Sequence, residues 1–149
     1  MPVNFNDLIH EVVEQISITT NKKIIIQDET WNGSIIGDRE RTGQVLTNLL
    51  TNAIKYSPDA DKVIISLTSA KDNVICSVTD FGIGVAKENQ QYVFERFYRE
   101  TEAHVNTFPG LGLGLYISAE IIKRQNGKIW MKSEKGKGSV FSFSLPINN

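Results

Sequence analysis

The sequence has few of the features that mark secreted, membrane and nucleic-acid-binding proteins. It contains one cysteine, Cys76, so an internal disulfide is excluded. No apolar run approaches the roughly 20 residues that span a bilayer, and the N-terminus has no signal-peptide pattern. The formal net charge of −1 gives no electrostatic footprint for nucleic acid. These absences predict a cytoplasmic domain with no nucleic-acid partner, and they are compatible with a larger parent protein anchored in the inner membrane.

Length and composition are those of one ordinary globular domain. The chain has 149 residues, of which 40% are hydrophobic and 22% are charged. No repeat, low-complexity tract or linker divides it. We therefore predict one domain over residues 1–149.

Hydrophobic periodicity predicts an α/β fold in two layers. Helical spacing indicates three amphipathic helices, and β-branched or alternating runs indicate strands. Asp38 is a candidate N-cap, and Gly127 is placed to end the last helix. Three helices suit one face of a mixed, mostly antiparallel sheet. The predicted helices cover residues 5–20, 38–56 and 113–126, with a short one at 87–92, and the predicted strands cover 23–27, 34–36, 62–69, 73–79, 128–133 and 139–145.

The second predicted helix carries a polar stripe opposite an apolar one. At about 100° per residue, Gln44, Asn48, Asn52 and Lys55 fall on one side. Asparagine oxygens suit the hard cation Mg²⁺, and a lysine neutralises phosphate charge. When the helix is considered alone, a solvated helix face is the better explanation of this stripe.

Glycine-rich segments with ligand-binding potential follow two of the predicted strands. Residues 80–84 read DFGIG, in which glycines allow close backbone approach and Asp80 can accept a hydrogen bond from an exocyclic amine. Residues 136–139 read GKGS, the length of a hairpin turn that could also contact a nucleotide. When each segment is considered alone, an ordinary turn is the better explanation.

A third glycine-rich segment opens the last predicted helix. Residues 109–115 read PGLGLGL, and free N–H groups at a helix start bind anions. About twelve aperiodic residues precede it, a length typical of a functional lid or a disordered segment. A lid closing over a bound nucleotide is one interpretation.

Together these segments resemble the ATP-binding catalytic domain of sensor histidine kinases, within the gyrase, Hsp90, histidine kinase and MutL superfamily. The five motifs occur in the family's order and cover nearly the whole chain. They are NLLTNAIKYS at 48–57 (N box), DFGIG at 80–84, FERFYR at 94–99 (F box), GLGLGL at 110–115 and GKGS at 136–139.

The resemblance implies a Bergerat-type α/β sandwich that binds ATP and Mg²⁺. Asp80 would bind the adenine amine, Asn52 would ligate Mg²⁺, and Asn48 and Lys55 would contact phosphate as the catalytic pair. Phe94, Arg96 and Phe97 would join the lid to the body, although the two phenylalanines suit a plain core as well. The other implied nucleotide contacts are Tyr56, Gly82, Gly84, Gly110, Leu111, Gly112, Leu113, Gly114 and Ser139.

One position separates branches of this superfamily. Hydrolysing members carry a glutamate where this chain has Asn48, and an amide is a poor general base. Transfer to a protein histidine depends mainly on positioning and charge neutralisation. The resemblance therefore implies a protein histidine kinase with little ATP hydrolysis.

The chain lacks a convincing phosphoacceptor. His10-Glu11 is not followed by the proline that the family's acceptor box requires, and His104 lies in the predicted lid. The resemblance implies that the acceptor lies on a helical dimerisation domain of a larger parent kinase, which would pass phosphate to a response regulator. Without that domain the chain is expected to be a monomer that does not autophosphorylate.

Two other functions remain open at this point. A free-standing serine kinase of the anti-sigma type shares these boxes, although the F box and the extended lid favour the histidine kinase. A regulatory module that binds nucleotide without catalysis is the second alternative.

Overall fold

A computed structural model describes residues 2–27, 31–95 and 114–147. The F-box residues from Arg96 onward, His104 and the glycine-box residues 110–113 lie outside these ranges. The described elements are β1 (Pro2–Asn4), α1 (Phe5–Ser17), β2 (Lys23–Gln27), β3 (Ser34–Ile36), α2 (Arg39–Lys55), β4 (Lys62–Ala70), β5 (Asn73–Asp80), a 3₁₀ helix (Lys87–Tyr92), α3 (Gly114–Arg124), β6 (Lys128–Glu134) and β7 (Gly138–Pro146).

Five of the described strands form one mixed sheet in the order β2-β4-β5-β7-β6. The β2–β4 pair is parallel and the other three pairs are antiparallel, which confirms the predicted sheet type. β1 pairs with β3 in a separate antiparallel ribbon. β1 was not predicted, because its three residues form a strand only through pairing with β3, which is distant in sequence.

The sheet buries one face against the helices because its strands alternate apolar and polar residues. On β5, Val74, Cys76 and Val78 are buried, and the register places Phe143 of β7 beside Cys76. Burial raises the pKa of the Cys76 thiol, so the thiol stays protonated. Cys76 is therefore a buried and unreactive thiol.

The first helix packs its apolar stripe on the sheet and ends earlier than predicted. Asn4 caps it by accepting a hydrogen bond from Asp7 N at 3.0 Å. The helix stops at Ser17, because Thr19 turns back and its hydroxyl donates to Ile16 O at 2.7 Å. The buried residues of this stripe are Phe5, Leu8, Ile9, Val12 and Ile16.

The third helix ends in a Schellman motif, and the prediction for Gly127 was wrong in detail. The residue in the left-handed conformation is Asn126, with φ 64°. Asn126 N donates to Lys123 O, and Gly127 N donates to Ile122 O at 2.9 Å. Glycine is needed at 127 because a Cβ there would lie 2.0 Å from Ser144 O on β7. Among the helices that the structure describes, none is both long and apolar enough to cross a bilayer.

Candidate functional site

The second helix presents the predicted polar stripe next to its buried apolar side. Asp38 caps the helix by accepting a hydrogen bond from Arg41 N at 3.0 Å, as predicted. Asn48 and Asn52 are half-buried and Lys55 is exposed. The stripe is therefore partly covered by neighbouring elements, which an ordinary solvated helix face would not be. The buried apolar residues are Val45, Leu46, Leu49, Leu50 and Ala53.

Asn48 connects this helix to the start of α3. Its Nδ2 donates to Gly114 O at 3.3 Å and to the hydroxyl of buried Ser118 at 3.2 Å. A Cβ on Gly114 would lie 3.9 Å from Asn48 Cγ, an ordinary contact. The polar stripe of α2 therefore lies against the described end of the second glycine box.

The turn after β5 rests on the C-terminal end of α2. Ile83 N donates to Tyr56 O at 3.0 Å. A Cβ on Gly82 would lie 1.7 Å from the same Tyr56 oxygen, so only glycine fits. Asn52 lies one helical turn before Tyr56, and its carbonyl accepts a hydrogen bond from Tyr56 N at 3.0 Å. The turn that begins at Asp80 and the helix that carries Asn52 therefore touch through backbone atoms.

The same turn also contacts the β6–β7 hairpin. Gly84 has φ 69°, and a Cβ there would lie 2.2 Å from Glu134 O. Gly136 N donates to Ile83 O at 2.7 Å. The first glycine segment is thus held between α2 and the hairpin that carries the third glycine segment.

Asp80 is a buried carboxyl group at the end of β5. It is 4% exposed, and its Oδ1 accepts a hydrogen bond from Gly82 N at 3.0 Å. Burial raises the pKa of the Asp80 carboxyl to about 6, while hydrogen bonds from the backbone of Gly82 and Ser139 act in the lowering direction. A carboxyl group desolvated in this way, with a pKa close to neutral, is typical of a ligand-binding position.

Ser139 lies beside Asp80 and within a serine network that the sequence did not predict. The register pairs Ser139 with Asp80 on one side and with Ser133 on the other. The hydroxyls of Ser133 and Ser139 are 2.8 Å apart. Ser133 lies on the same helix-facing side of β6 as the apolar residues Ile129 and Met131. A polar residue at this position of the alternation was the sequence signal that could have indicated its role.

The structure describes only some of the other residues that the sequence analysis singled out. Tyr56 is half-buried, and Phe94 packs edge-on against Phe141 with ring centroids 6.0 Å apart. His10 is exposed on α1. The predicted contacts at Gly110, Leu111, Gly112 and Leu113 lie outside the described residues, as do Arg96, Phe97 and His104.

The metal-ligating side chains among the described residues suit a metal ion that binds together with another ligand. The described ranges contain no group of three or more histidine, cysteine, aspartate or glutamate side chains arranged for a metal. Asn52 adds one half-buried amide to the site. Mg²⁺ usually keeps several waters and is held by one or two protein oxygens together with substrate phosphates. The Asn52 amide oxygen fits that mode.

Comparison with known proteins defines the class. The family model described as histidine kinase-, DNA gyrase B-, and HSP90-like ATPase matches residues 37–149, and the chain belongs to this family. The matched region contains all five glycine-box, N-box and F-box motifs.

Several similar proteins within the family are sensor histidine kinases. The sensor-like histidine kinase SenX3 of Mycolicibacterium smegmatis is 36% identical over 146 residues, which are 97% of this chain and 38% of that protein. The catalytic domain of histidine kinase ThkA superposes with a TM-score of 0.76 at 30% identity, covering 98% of this chain and 94% of that domain.

A third relative was solved with a nucleotide analogue. Full-length ShkA in complex with AMPPNP superposes with a TM-score of 0.86 at 27% identity, covering all of this chain and 31% of that protein. The chain thus spans well under half the length of SenX3 and of ShkA.

Proposed function

We propose that this chain binds ATP with Mg²⁺ and transfers the γ-phosphoryl group to a histidine on a separate dimerisation domain, in two-component signal transduction. The observation that carries the proposal is the backbone contact between the Asp80 turn and α2, the hydrogen bond from Ile83 N to Tyr56 O at 3.0 Å. This contact joins the adenine end of the site to the helix that carries the polar stripe. AMPPNP bound to ShkA, a relative of the same fold, supports ATP as the ligand.

At the adenine end, Asp80 accepts a hydrogen bond from the exocyclic amine. Its burial at 4% exposure strengthens such a bond, because little water competes for the carboxylate. Gly82 and Gly84 allow the backbone to lie close to the base, and Tyr56 packs near it. Ser139, beside Asp80 in the register, completes this end of the site.

At the phosphate end, the polar stripe of α2 holds the triphosphate. The Asn52 amide oxygen ligates Mg²⁺, which when bound neutralises phosphate charge. Lys55 is exposed and reaches the phosphates as a point charge, while Asn48 positions them from beside Gly114. In this proposal Gly110, Leu111, Gly112, Leu113 and Gly114 also contact the nucleotide.

The chemistry is phosphoryl transfer from the nucleotide to a neutral imidazole. The unprotonated ring nitrogen of the acceptor attacks the γ-phosphorus, a P–N bond forms, the bond to the β–γ bridging oxygen breaks, and ADP leaves. Asn48 stands where hydrolysing relatives have a glutamate base, so water is not activated. Positioning and charge neutralisation supply most of the rate enhancement in such transfers.

The acceptor belongs to another part of a larger kinase. The chain accounts for 38% of the length of SenX3, which leaves room for sensor and dimerisation regions in a protein of that kind. In this proposal the chain by itself is monomeric and does not autophosphorylate. A response regulator receives the phosphate from the acceptor histidine, and this domain works in the cytoplasm.

Transfer of labelled phosphate tests the proposal against the two alternatives. The chain is mixed with ATP-Mg²⁺ labelled at the γ-phosphate and with the dimerisation domain of the parent kinase. Acid-labile, base-stable label on that domain supports histidine transfer, whereas acid-stable label on serine indicates an anti-sigma-type kinase. Tight ATP binding without transfer indicates a regulatory module. Asn52→Ala is the matched negative control, because it removes the Mg²⁺ ligand from the same helix.

A further inference from the structure

A row of polar side chains crosses three strands at the end of the sheet. Asp80, Ser139 and Ser133 are register partners on β5, β7 and β6, and all three are on the helix-facing side. Asp80 and Ser139 are adjacent in the register, and the hydroxyls of Ser139 and Ser133 are 2.8 Å apart. Polar side chains therefore form a continuous row from the buried carboxyl group to the edge strand.

Ser133 uses the full hydrogen-bonding capacity of its hydroxyl group. A serine hydroxyl has one hydrogen and two acceptor lone pairs. Ser133 Oγ donates to Gly138 O at 2.8 Å and accepts from Val85 N at 2.7 Å. Since its hydrogen points at Gly138, the Ser139 hydroxyl donates the bond between the two serines. Removing the Ser133 hydroxyl leaves three partners without this bond.

Gln90 also binds Val85, the turn residue whose N–H group donates to Ser133. Its Nε2 donates to Val85 O at 3.0 Å and to Ser133 O at 2.9 Å. Val85 is therefore bound through its N–H by Ser133 and through its C=O by Gln90. We call this pair of side chains, Ser133 and Gln90, the Val85 clamp.

We propose that the Val85 clamp positions the Asp80 carboxylate for the exocyclic amine of adenine, an inference that rests on the proposed function. The turn from Asp80 to Val85 is fixed in the middle by Tyr56 O and at its far end by the clamp. Asp80 depends on this turn, because its Oδ1 accepts a hydrogen bond from Gly82 N. Ser133 and Gln90 are positioning residues, since both act on the ligand through Asp80.

The test is the selectivity for ATP over ITP, which carries a carbonyl oxygen in place of the adenine amine. Calorimetry measures the Kd of each nucleotide with Mg²⁺ for the wild-type chain, Ser133→Ala and Gln90→Leu. Loss of positioning lowers the ratio of the ITP Kd to the ATP Kd by about tenfold, the effect of one hydrogen bond to a charged group. If the clamp has only a structural role, the variants bind both nucleotides more weakly by the same factor, and the ratio of the two Kd values is unchanged.

Two further variants sharpen the comparison. Ser142→Ala is the matched control, because Ser142 is a buried serine on the opposite face of β7 whose hydroxyl bonds to Ser77 Oγ at 2.7 Å. It should keep the wild-type ratio. Ser133→Thr retains the hydroxyl and should restore most of the selectivity. Gln90→Leu tests the same clamp if Ser133→Ala does not fold.

The possible outcomes distinguish failure of the clamp proposal from failure of the proposed function. An unchanged ratio in both Ser133→Ala and Gln90→Leu overturns the positioning role and leaves the proposed function intact. An equal loss of selectivity in Ser142→Ala also overturns it. A wild-type chain that binds ATP and ITP with the same affinity contradicts the adenine role of Asp80, and the clamp proposal fails with it.

Discussion

Ile83 N donates a hydrogen bond to Tyr56 O at 3.0 Å, and this bond ties the turn after β5 to the end of α2. The two residues are distant in sequence, yet the contact brings a buried carboxyl group and a row of amides into one region. Gly82 makes the approach possible, because its missing Cβ would lie 1.7 Å from the same oxygen. A backbone contact within the protein therefore explains why position 82 of the first glycine box is glycine.

We expect Gly82→Ala to destabilise the chain and to weaken ATP binding. The added methyl must push the turn away from Tyr56 O, and overpacking of this kind costs about 1–3 kcal/mol. Urea unfolding and ATP calorimetry measure the two effects. Gly43→Ala is the control, because its Cβ would make an ordinary 3.5 Å contact with Leu8, and helix propensity favours alanine by about 1 kcal/mol. Equal stability of the two variants would contradict the steric argument.

The stability of the chain should depend on the titration of Asp80. Burial raises the Asp80 pKa from 3.8 to about 6, so between these values the folded state binds more protons than the unfolded state. Stability attributable to this group therefore falls as pH rises from about 4 to about 6, by an amount on the order of 3 kcal/mol.

The measurement is the difference in free energy of unfolding between the wild type and Asp80→Asn across that pH range. The asparagine variant does not titrate, so it should gain stability relative to the wild type as pH rises, and the difference should be constant above about pH 7. A difference that does not change with pH would show that Asp80 titrates normally in the folded chain.

Asn52→Ala should weaken the binding of ATP only when Mg²⁺ is present. In the proposed site its amide oxygen ligates the cation, so we expect about a tenfold higher Kd with Mg²⁺ and little change in EDTA. Thr51→Ala serves as the control, because the Thr51 hydroxyl donates to Thr47 O at 2.8 Å within α2. Equal losses with and without Mg²⁺ would assign Asn52 a role other than metal ligation.

Lys22→Met should destabilise the segment that follows α2. The Lys22 ammonium group donates to Ser57 O at 2.6 Å and also to the carbonyl of Ala60. Removing charged hydrogen bonds of this kind costs about 1.5–3 kcal/mol, which urea unfolding can measure. Lys23→Met, at the neighbouring exposed position, should change stability by less than about 0.5 kcal/mol. Similar effects of the two substitutions would show that the carbonyl contacts of Lys22 contribute little.

Local patterns predicted the elements well because their causes are local. The Asp38 cap and the strand predicted at 139–145 depend on patterns along one segment, and the structure confirms both. The pattern could not show that Asn126, rather than Gly127, adopts the left-handed conformation. Both residues tolerate that conformation, and the choice depends on the approach of β7 to Gly127.

The candidate site was only partly visible in the sequence because its connections are long-range. Asp80, Asn48 and Asn52 stood out by residue type and motif. Ser133 and Gln90 did not, since their role depends on the register of β6 with β7 and on the turn beside them. The contact of Asn48 with Gly114 likewise requires two helices to pack side by side.

The central claim is that the Asp80 turn and the polar stripe of α2 surround one metal-bound nucleotide. Its most direct test is an NMR titration of the ¹⁵N-labelled chain with ATP and paramagnetic Mn²⁺ in place of Mg²⁺. We expect strong broadening of the Asn48, Asn52 and Gly114 amide signals, with shifts at Gly82 when diamagnetic Mg²⁺ is used. Broadening confined to the opposite face of the sheet, around Trp130, or no response at α2 would contradict it.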